Sequence, residues 1–454
     1  MSEYERLRQE KIARNKRMME EMGLASSSKA LKRQLKPPAR PVRESVQKRA
    51  KIEKIEKIEP PRRSSRRLQG QKVEFVDVKE VKVSLKNKTL FRELQELASV
   101  PKRIDREILY SLVVGEPDEI QVEVPQADAT YTLDERDVEK VTNDRIYAIA
   151  CHPSIIKNNI LSAIVDVEGN ASLWTAPLDR ERNAKNTIVT WRPHKQAISS
   201  VHFEDMTLLT SSFDGSMIAY DMPSQKSTTL LTGESSLTYI DTSNKNAYLI
   251  SNENGEVIVY DYRARKQQHS WALHEKKINT VHRQTPDSHY FATASLDRTV
   301  CIWDARKPKN VLTSLPHGRS VNCAYYSPKG DFLVTVGQDD NVHVYSVPSN
   351  GNFDKMDPPT TRFFHNNHTG RWLTKFHAHW DPKMPESPRY VLASNLQPRC
   401  IEIYSPTSKK PLQRLKDEDL HRSIHSMNVF HPTVDVIVGG NSSGRVAMWR
   451  GQSN

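Results

Sequence analysis

Cysteine is scarce in this chain of 454 residues: Cys151, Cys301, Cys323 and Cys400 are scattered, with no CxxC pair and no histidine set at zinc-ligand spacing. That excludes a disulfide framework and a zinc ribbon. Each thiol reads as a small buried hydrophobe in a reducing, intracellular compartment. Long hydrophobic runs are missing too. Nothing approaches the roughly 20 uninterrupted apolar residues of a membrane-spanning helix, and the mean hydropathy is −0.67. Neither a membrane association nor a secretory leader is expected. Also missing are a phosphate-binding Gly-rich loop ending in Lys-Ser/Thr, a GxSxG nucleophile elbow and a metal-ligand helix. No catalytic residue, metal ligand or cofactor is therefore nominated, and the chain reads as a binding protein rather than an enzyme.

Positive charge is abundant but unevenly spread. The formal net charge is +12. Residues 1–72 hold 22 Lys and Arg against 9 Asp and Glu, which leaves 45 against 46 for the rest. The excess thus lies in a Pro-, Ser- and Lys/Arg-rich arm with few apolar residues, taken to span 1–87 and expected to be largely disordered. Residues 4–22 have a loose helical rhythm and predict a short helix that needs a partner. Arg62, Arg63, Arg66 and Arg67 surround Ser64 and Ser65, a pattern open to three readings: solvated linker, nuclear import signal or phosphate-backbone contact. Phosphorylation of those serines would reduce the charge of the arm. Leu90, Phe91, Leu94, Leu97 and Val100 stand at helical spacing before Pro101, so 88–142 is taken as a lead-in whose stretch between Ile120 and Val141 clasps the domain that follows.

From Asn143 to the end one pattern recurs: an apolar strand, a second short strand, a turn, then an alternating strand closed by an aromatic residue. The closing aromatics are Trp174, Tyr220, Tyr260, Trp303, Tyr345, Tyr404 and Trp449, at intervals of 46, 40, 43, 42, 59 and 45 residues. The turns before them include Asp214-Gly215, Asn254-Gly255 and Ser443-Gly444. Five of the six intervals match the ~40–45 residues of a four-stranded WD repeat, and Trp303-Asp304 supplies the dipeptide itself. The prediction is an all-β, seven-bladed WD-repeat β-propeller over 143–454, with an insertion at 348–390 that falls in loops on one face. Nothing follows Trp449 that could serve as an outer strand, so that strand is expected from before Ile146.

Aligning the repeats on their innermost strands places Lys or Arg just before the strand in six of seven. Arg145, Lys195, Lys277, Arg319, Arg371 and Arg422 are therefore expected to ring one mouth of the central channel, where they would meet an anion, nucleic acid being the obvious large one.

Residues 291–307, FATASLDRTVCIWDARK, resemble the WDxR box of WD-repeat substrate receptors of cullin–RING ubiquitin ligases. In that family the Arg reaches the ligase's adaptor subunit. The resemblance implies adaptor contacts by Asp304 and Arg306, with Arg263 of Tyr260-Asp261-Tyr262-Arg263 in a weaker copy of the box. The segment His368-Thr369-Gly370-Arg371-Trp372-Leu373-Thr374-Lys375-Phe376, with Ala378-His379-Trp380-Asp381-Pro382, is similar to the small subunit of the ultraviolet-damaged-DNA-binding complex. It is more similar still to that subunit's relatives in the changed-mutation-rate DNA-damage-binding family. The opening EYERLRQEKIARNKRMMEEMGL, the RRSSRRLQG arm and VTNDRIYAIACHPS extend the likeness over nearly the whole chain.

The resemblance implies a nuclear DNA-binding protein of the damage response, in which Trp372, flanked by Arg371 and Lys375, stands where a wedge enters duplex DNA, damaged or modified. Its further implied partners are the cullin–RING adaptor and other chromatin or repair proteins. The wedge residues themselves differ from those of the damage-binding subunit, so lesion specificity does not carry over.

Overall fold

The computed structural model describes residues 129–179, 186–349 and 351–452. The arm with Arg62, Arg63, Arg66 and Arg67, both expected helices and the first part of the lead-in lie outside the described residues.

The described chain is a seven-bladed β-propeller. Each blade is a four-stranded antiparallel sheet, apart from the last, which has a fifth short strand. The innermost strands of blades 1 to 7 are Ile146–Cys151, Ile198–Glu204, Leu237–Asp241, Ile278–Arg283, Val321–Tyr326, His379–Trp380 and His425–Phe430. All seven closing aromatics lie on third strands and are buried. Apolar clusters form between successive blades: Trp174 packs with Ile146 and with Met427 and Val438 of blade 7, and Trp303 packs with Leu249 and Val257 of blade 3. Burial of this kind contributes about 25 cal/mol per Å² of apolar surface. Outer strands are polar where they meet water, as in Lys226–Thr232 and Lys266–Ala272, which blunts the exposed sheet edges.

The turns between second and third strands need a left-handed backbone. Gly255 has φ +83°, and a Cβ there would meet the His274 carbonyl at 2.0 Å, so only glycine fits. Polar bonds then fasten the blade from within. In blade 4, His274 bridges Asp297 (2.6 Å) and Thr293 (2.7 Å), and the indole N–H of Trp303 donates to the same Thr293 hydroxyl at 2.8 Å. Blade 2 repeats this with His194, Thr210 and Ser216. Burial opposes charge on Asp297, but the hydrogen bonds from Thr299 and His274 outweigh it and hold its carboxyl below the usual range. The histidines before the inner strands are therefore used in the blades.

Two expectations are corrected. The 59-residue interval is not one inserted loop: Thr361–Phe364 within it is the outer strand of blade 5, and His379–Trp380 is the inner strand of blade 6. The surplus is two lengthened connections on either side of Thr361–Phe364. Because strands alternate in direction, they emerge at opposite ends of the propeller. The inner strand of blade 6 also begins at His379, so Arg371 and Trp372 sit in a turn well ahead of it rather than directly before it.

Blade 7 draws its outer strands from the start of the described chain. Thr130–Thr132 pairs with Arg450–Gln452, and Val138–Lys140 pairs with the stretch Arg445 to Ala447. Between them the buried Asp137 accepts from Arg450 Nε at 2.9 Å. Tyr131 accepts from Arg389 Nη2 at 3.1 Å, and Arg389 is itself paired with the buried Asp381.

This closure gives a measurable expectation. Asp137→Ala leaves the Arg450 guanidinium buried without its carboxylate and should cost about 3–5 kcal/mol of unfolding free energy in urea titrations. A loss under about 1 kcal/mol would mean that the pair does not hold the ring closed.

Candidate nucleic-acid interface

One end of the propeller carries the connections from each outer strand to the next inner strand, together with the turns between second and third strands. Arg145, Lys195, Lys277, Arg319, Arg371 and Arg422 all lie in these connections. They form two tiers. Lys195, Arg319 and Arg422 are exposed on the rim, where Arg422 makes only a 3.5 Å contact with the equally exposed Asp419. Arg145, Lys277, Arg371 and Lys375 line the axial cavity below.

Local structure sets this difference. Gly370, at φ +58°, turns the long connection into blade 6 so that Arg371 stacks on Trp372 at 4.3 Å, and Trp372 is 71% exposed. Arg145 Nη1 donates to the Arg371 carbonyl at 2.6 Å, tying that turn to blade 1. Thr374 donates to the Ile146 carbonyl at 2.6 Å in the same seam. The two tryptophans of the segment part company: Trp372 faces solvent, whereas Trp380 is buried with its N–H on the Tyr325 carbonyl at 2.8 Å. Phe364, 75% exposed, and Leu396, 45% exposed, lie at the same end of the propeller.

Carboxylates at this end are largely turned inward. Asp214 accepts from the Lys195 backbone N–H and Asp339 from that of Gly318, both at 2.9 Å, while Asp297 holds His274. Glu168, Glu234 and Glu275 face solvent and dilute the positive field at the rim, so the unopposed charge concentrates at the cavity. Among the described residues, none of Arg145, Lys277, Arg371 and Lys375 forms an ion pair with a carboxylate. Lys277 stands 4.5 Å over the Phe213 ring. Burial, with repulsion from Lys375, lowers its ammonium pKa to about 8, and burial lowers that of Lys375 as well.

The cavity has a volume of about 440 Å³ and a floor of histidine and tyrosine. Tyr325 is the hub: His379 stacks on it at 5.1 Å, His282 meets it edge-on at 5.3 Å, Tyr239 lies 5.7 Å away, and the ring of His377 reaches its hydroxyl at 3.1 Å. Burial pushes the imidazole of His377 down to about 3 and those of His202 and His379 to about 4. Among the described residues, no three His, Cys, Asp or Glu side chains are arranged to hold a metal ion.

The proposed adaptor residues are at the other end. Asp304, Arg306 and Arg263 flank the turns between third and outer strands of blades 4 and 3. Arg306 is clamped by Asp304 through Nε–Oδ1 at 2.9 Å and Nη2–Oδ2 at 2.7 Å, yet its side chain stays 56% exposed. Arg263 is exposed as well. Lys375 was legible in the sequence, but the polar floor was not, because Asn279, Asn322, His202 and His377 meet only through ring closure.

Comparison with known proteins bears on this geometry. The family model described as "WD domain, G-beta repeat" matches residues 265–304 and 309–346. Each match begins near the outer strand of one blade and ends at the third strand of the next, the same offset that closes the ring. WD repeat-containing protein 76 of Xenopus laevis is 32% identical over 333 residues, covering 70% of this chain and 55% of that protein. That of Rhinolophus ferrumequinum is 30% identical over 328 residues, covering 69% of this chain and 50% of that protein. The chain thus spans about half the length of these relatives. DNA damage-binding protein CMR1 of Scheffersomyces stipitis is 26% identical over 524 aligned positions, covering 99% of both chains.

The histidine floor makes stability depend on pH. The unfolded chain takes up protons near 6.5, whereas His202 and His379 refuse them until about 4 and His377 until about 3. Unfolded protein therefore binds more protons in that window, and stability falls as the pH drops from about 6.5 towards 4. A Tm series at constant ionic strength should show this decline, and His377→Gln should flatten it. A Tm that holds level from pH 7 to 5 would contradict neutral burial of these rings.

Proposed function

We propose, from the premise that this chain is a WD-repeat propeller with homologues named DNA damage-binding protein CMR1 and WD repeat-containing protein 76, that it is a nuclear DNA-binding protein of the damage response. It acts by binding rather than catalysis. The observation that carries the reading is the convergence of Arg145, Lys277, Arg371 and Lys375 on the mouth of the axial cavity without ion-paired carboxylates, ringed by exposed Lys195, Arg319 and Arg422. Cations left unopposed at a concave surface focus a positive potential, and the nucleic-acid backbone is the polyanion that this suits. Exposed Trp372 beside Arg371 adds a ring that can stack on a base or enter a base step. Arg62, Arg63, Arg66 and Arg67 of the arm add sequence-independent affinity.

A second, compatible reading is a substrate receptor that docks the adaptor subunit of a cullin–RING ubiquitin ligase through Asp304, Arg306 and Arg263. The half-exposed Arg306, held in one direction by Asp304, supports it. Because these residues lie at the opposite end of the propeller from the basic face, one molecule could engage DNA and ligase together. Other chromatin or repair proteins are further partners under this reading.

The rim gives the first test. The triple variant Lys195→Glu, Arg319→Glu, Arg422→Glu in the full chain should bind duplex DNA at least 100-fold more weakly and lower the slope of log K against log salt by about three. These side chains are exposed, so the Tm should stay within a few degrees of wild type. An unchanged slope would mean that the rim residues make no phosphate contacts. For the second reading, Arg306→Ala should lower the yield of adaptor in co-purification while DNA affinity stays level, and equal adaptor yield would remove it.

A further inference from the structure

The two tiers of cations differ in what they can reach. A continuous strand can lay its phosphodiesters across the exposed rim, but it cannot lower one into a concave cavity without bending the chain in and out again. A strand end can enter. Inside are two ammonium groups, Lys277 and Lys375, flanked by the guanidinium groups of Arg145 and Arg371. Beneath them His202 Nε2 and His379 Nε2 are buried and make no hydrogen bond, and neither does Arg145 Nε at the mouth, an N–H free to donate to an anion. Buried polar atoms normally have a partner. Two half-desolvated lysines side by side repel one another, and a dianion between them relieves this where a neutral group would not. At the lip, the Arg371–Trp372 stack offers a face for the base next to such a group.

We propose that the axial cavity receives the terminal phosphomonoester of a DNA strand, an end-reading subsite at the centre of the basic face. This rests on the reading of that face as the DNA-binding surface and adds to it a preference among DNA structures. Strand ends at breaks and gaps carry a dianionic monoester, whereas internal phosphates carry one charge each, so the lysine pair discriminates by charge as well as by access.

Lys277 supplies a second signature. The charged groups that act on it are Lys375 and Glu253; Arg145, Arg371, Cys151 and the histidines and tyrosines of the lining, Tyr147, His202, Tyr239, Tyr325, His377 and His379, share the cavity. Its pKa of about 8 leaves it part-neutral just above that pH, and an anion beside it restores the proton. Binding of a phosphorylated end at pH 8 to 8.5 is therefore accompanied by proton uptake.

The test uses the full chain and fluorescent single-stranded-tailed duplexes of one sequence, ending in a 5′-phosphate, a 3′-phosphate or hydroxyls only. A phosphorylated end should bind about tenfold tighter than the hydroxyl-ended duplex, with the 5′ and 3′ arms identifying which end enters. The variant Lys277→Gln, Lys375→Gln should erase that preference, binding the phosphorylated and hydroxyl-ended duplexes with equal affinity, whatever it does to the affinity they share. The single variant Lys375→Gln should reduce the preference and guards against a folding defect in the pair. Isothermal titration in two buffers of different ionisation enthalpy should show proton uptake with the phosphorylated end only.

Equal affinity for phosphorylated and hydroxyl ends, or a preference that survives in the double variant, overturns the subsite while leaving the face reading intact. A phosphoserine peptide that displaces the hydroxyl-ended duplex no better than its unphosphorylated form supports it. A phosphoserine peptide that outcompetes the phosphorylated duplex overturns it in favour of a protein ligand. Absence of binding to any of the duplexes overturns the face reading itself.

Discussion

A four-stranded blade has two apolar faces and cannot cover either by itself, so no blade here is buried until its neighbours are in place and the circle is complete. The chain meets this with a displaced repeat. Its sequence unit begins near an outer strand, its structural unit begins with an inner one, and the mismatch leaves blade 7 to be finished by residues 130–140. The buried Asp137–Arg450 pair and the Tyr131–Arg389–Asp381 chain lock that joint. The closed circle also creates an axis lined by seven inner strands, and with it every feature of the cavity.

Closure has an electrostatic consequence. Polar side chains along the axis lose water and bond within the ring instead: Tyr325 with His377, Asn322 with the Phe376 carbonyl, Thr374 with the Ile146 carbonyl. The rings remain neutral because burial penalises their charged form. At the upper end the same loss of water acts on Lys277 and Lys375, whose charge is held at a cost that a bound anion would offset. The carboxylates that might have neutralised them are committed elsewhere, to backbone amides and histidines inside the blades. That commitment follows from the repeat, since an Asp in the turn is what fixes the His that fastens the inner strand.

Strand alternation sorts the surface into two ends. The basic tier lies where outer strands hand over to inner ones, and the Asp304–Arg306 clamp lies where third strands hand over to outer ones. Any two ligands recognised by these sites would not compete for space.

Much of this was legible in the amino-acid order. Recurring aromatics at near-constant spacing and Gly- and Asp-bearing turns specified a seven-bladed ring, because local turn chemistry and strand alternation repeat with the chain. The pattern of a basic residue before six of the seven inner strands, blade 3 being the exception, also came from local alignment, and at blade 6 the strand starts later than that alignment had it, with Arg371 and Trp372 in a turn well ahead of His379. Phe376 and Ala378 are as buried as a strand's core residues, so periodicity alone misplaced the strand's start.

What tertiary structure alone decided was depth and company. Lys195 and Lys277 occupy equivalent connections, yet one is on the rim and the other in the cavity. Trp372 and Trp380 are eight residues apart, yet one meets water and the other is core. Burial is a property of the closed ring, and residues as distant as Arg145 and Arg371 become neighbours only when it closes.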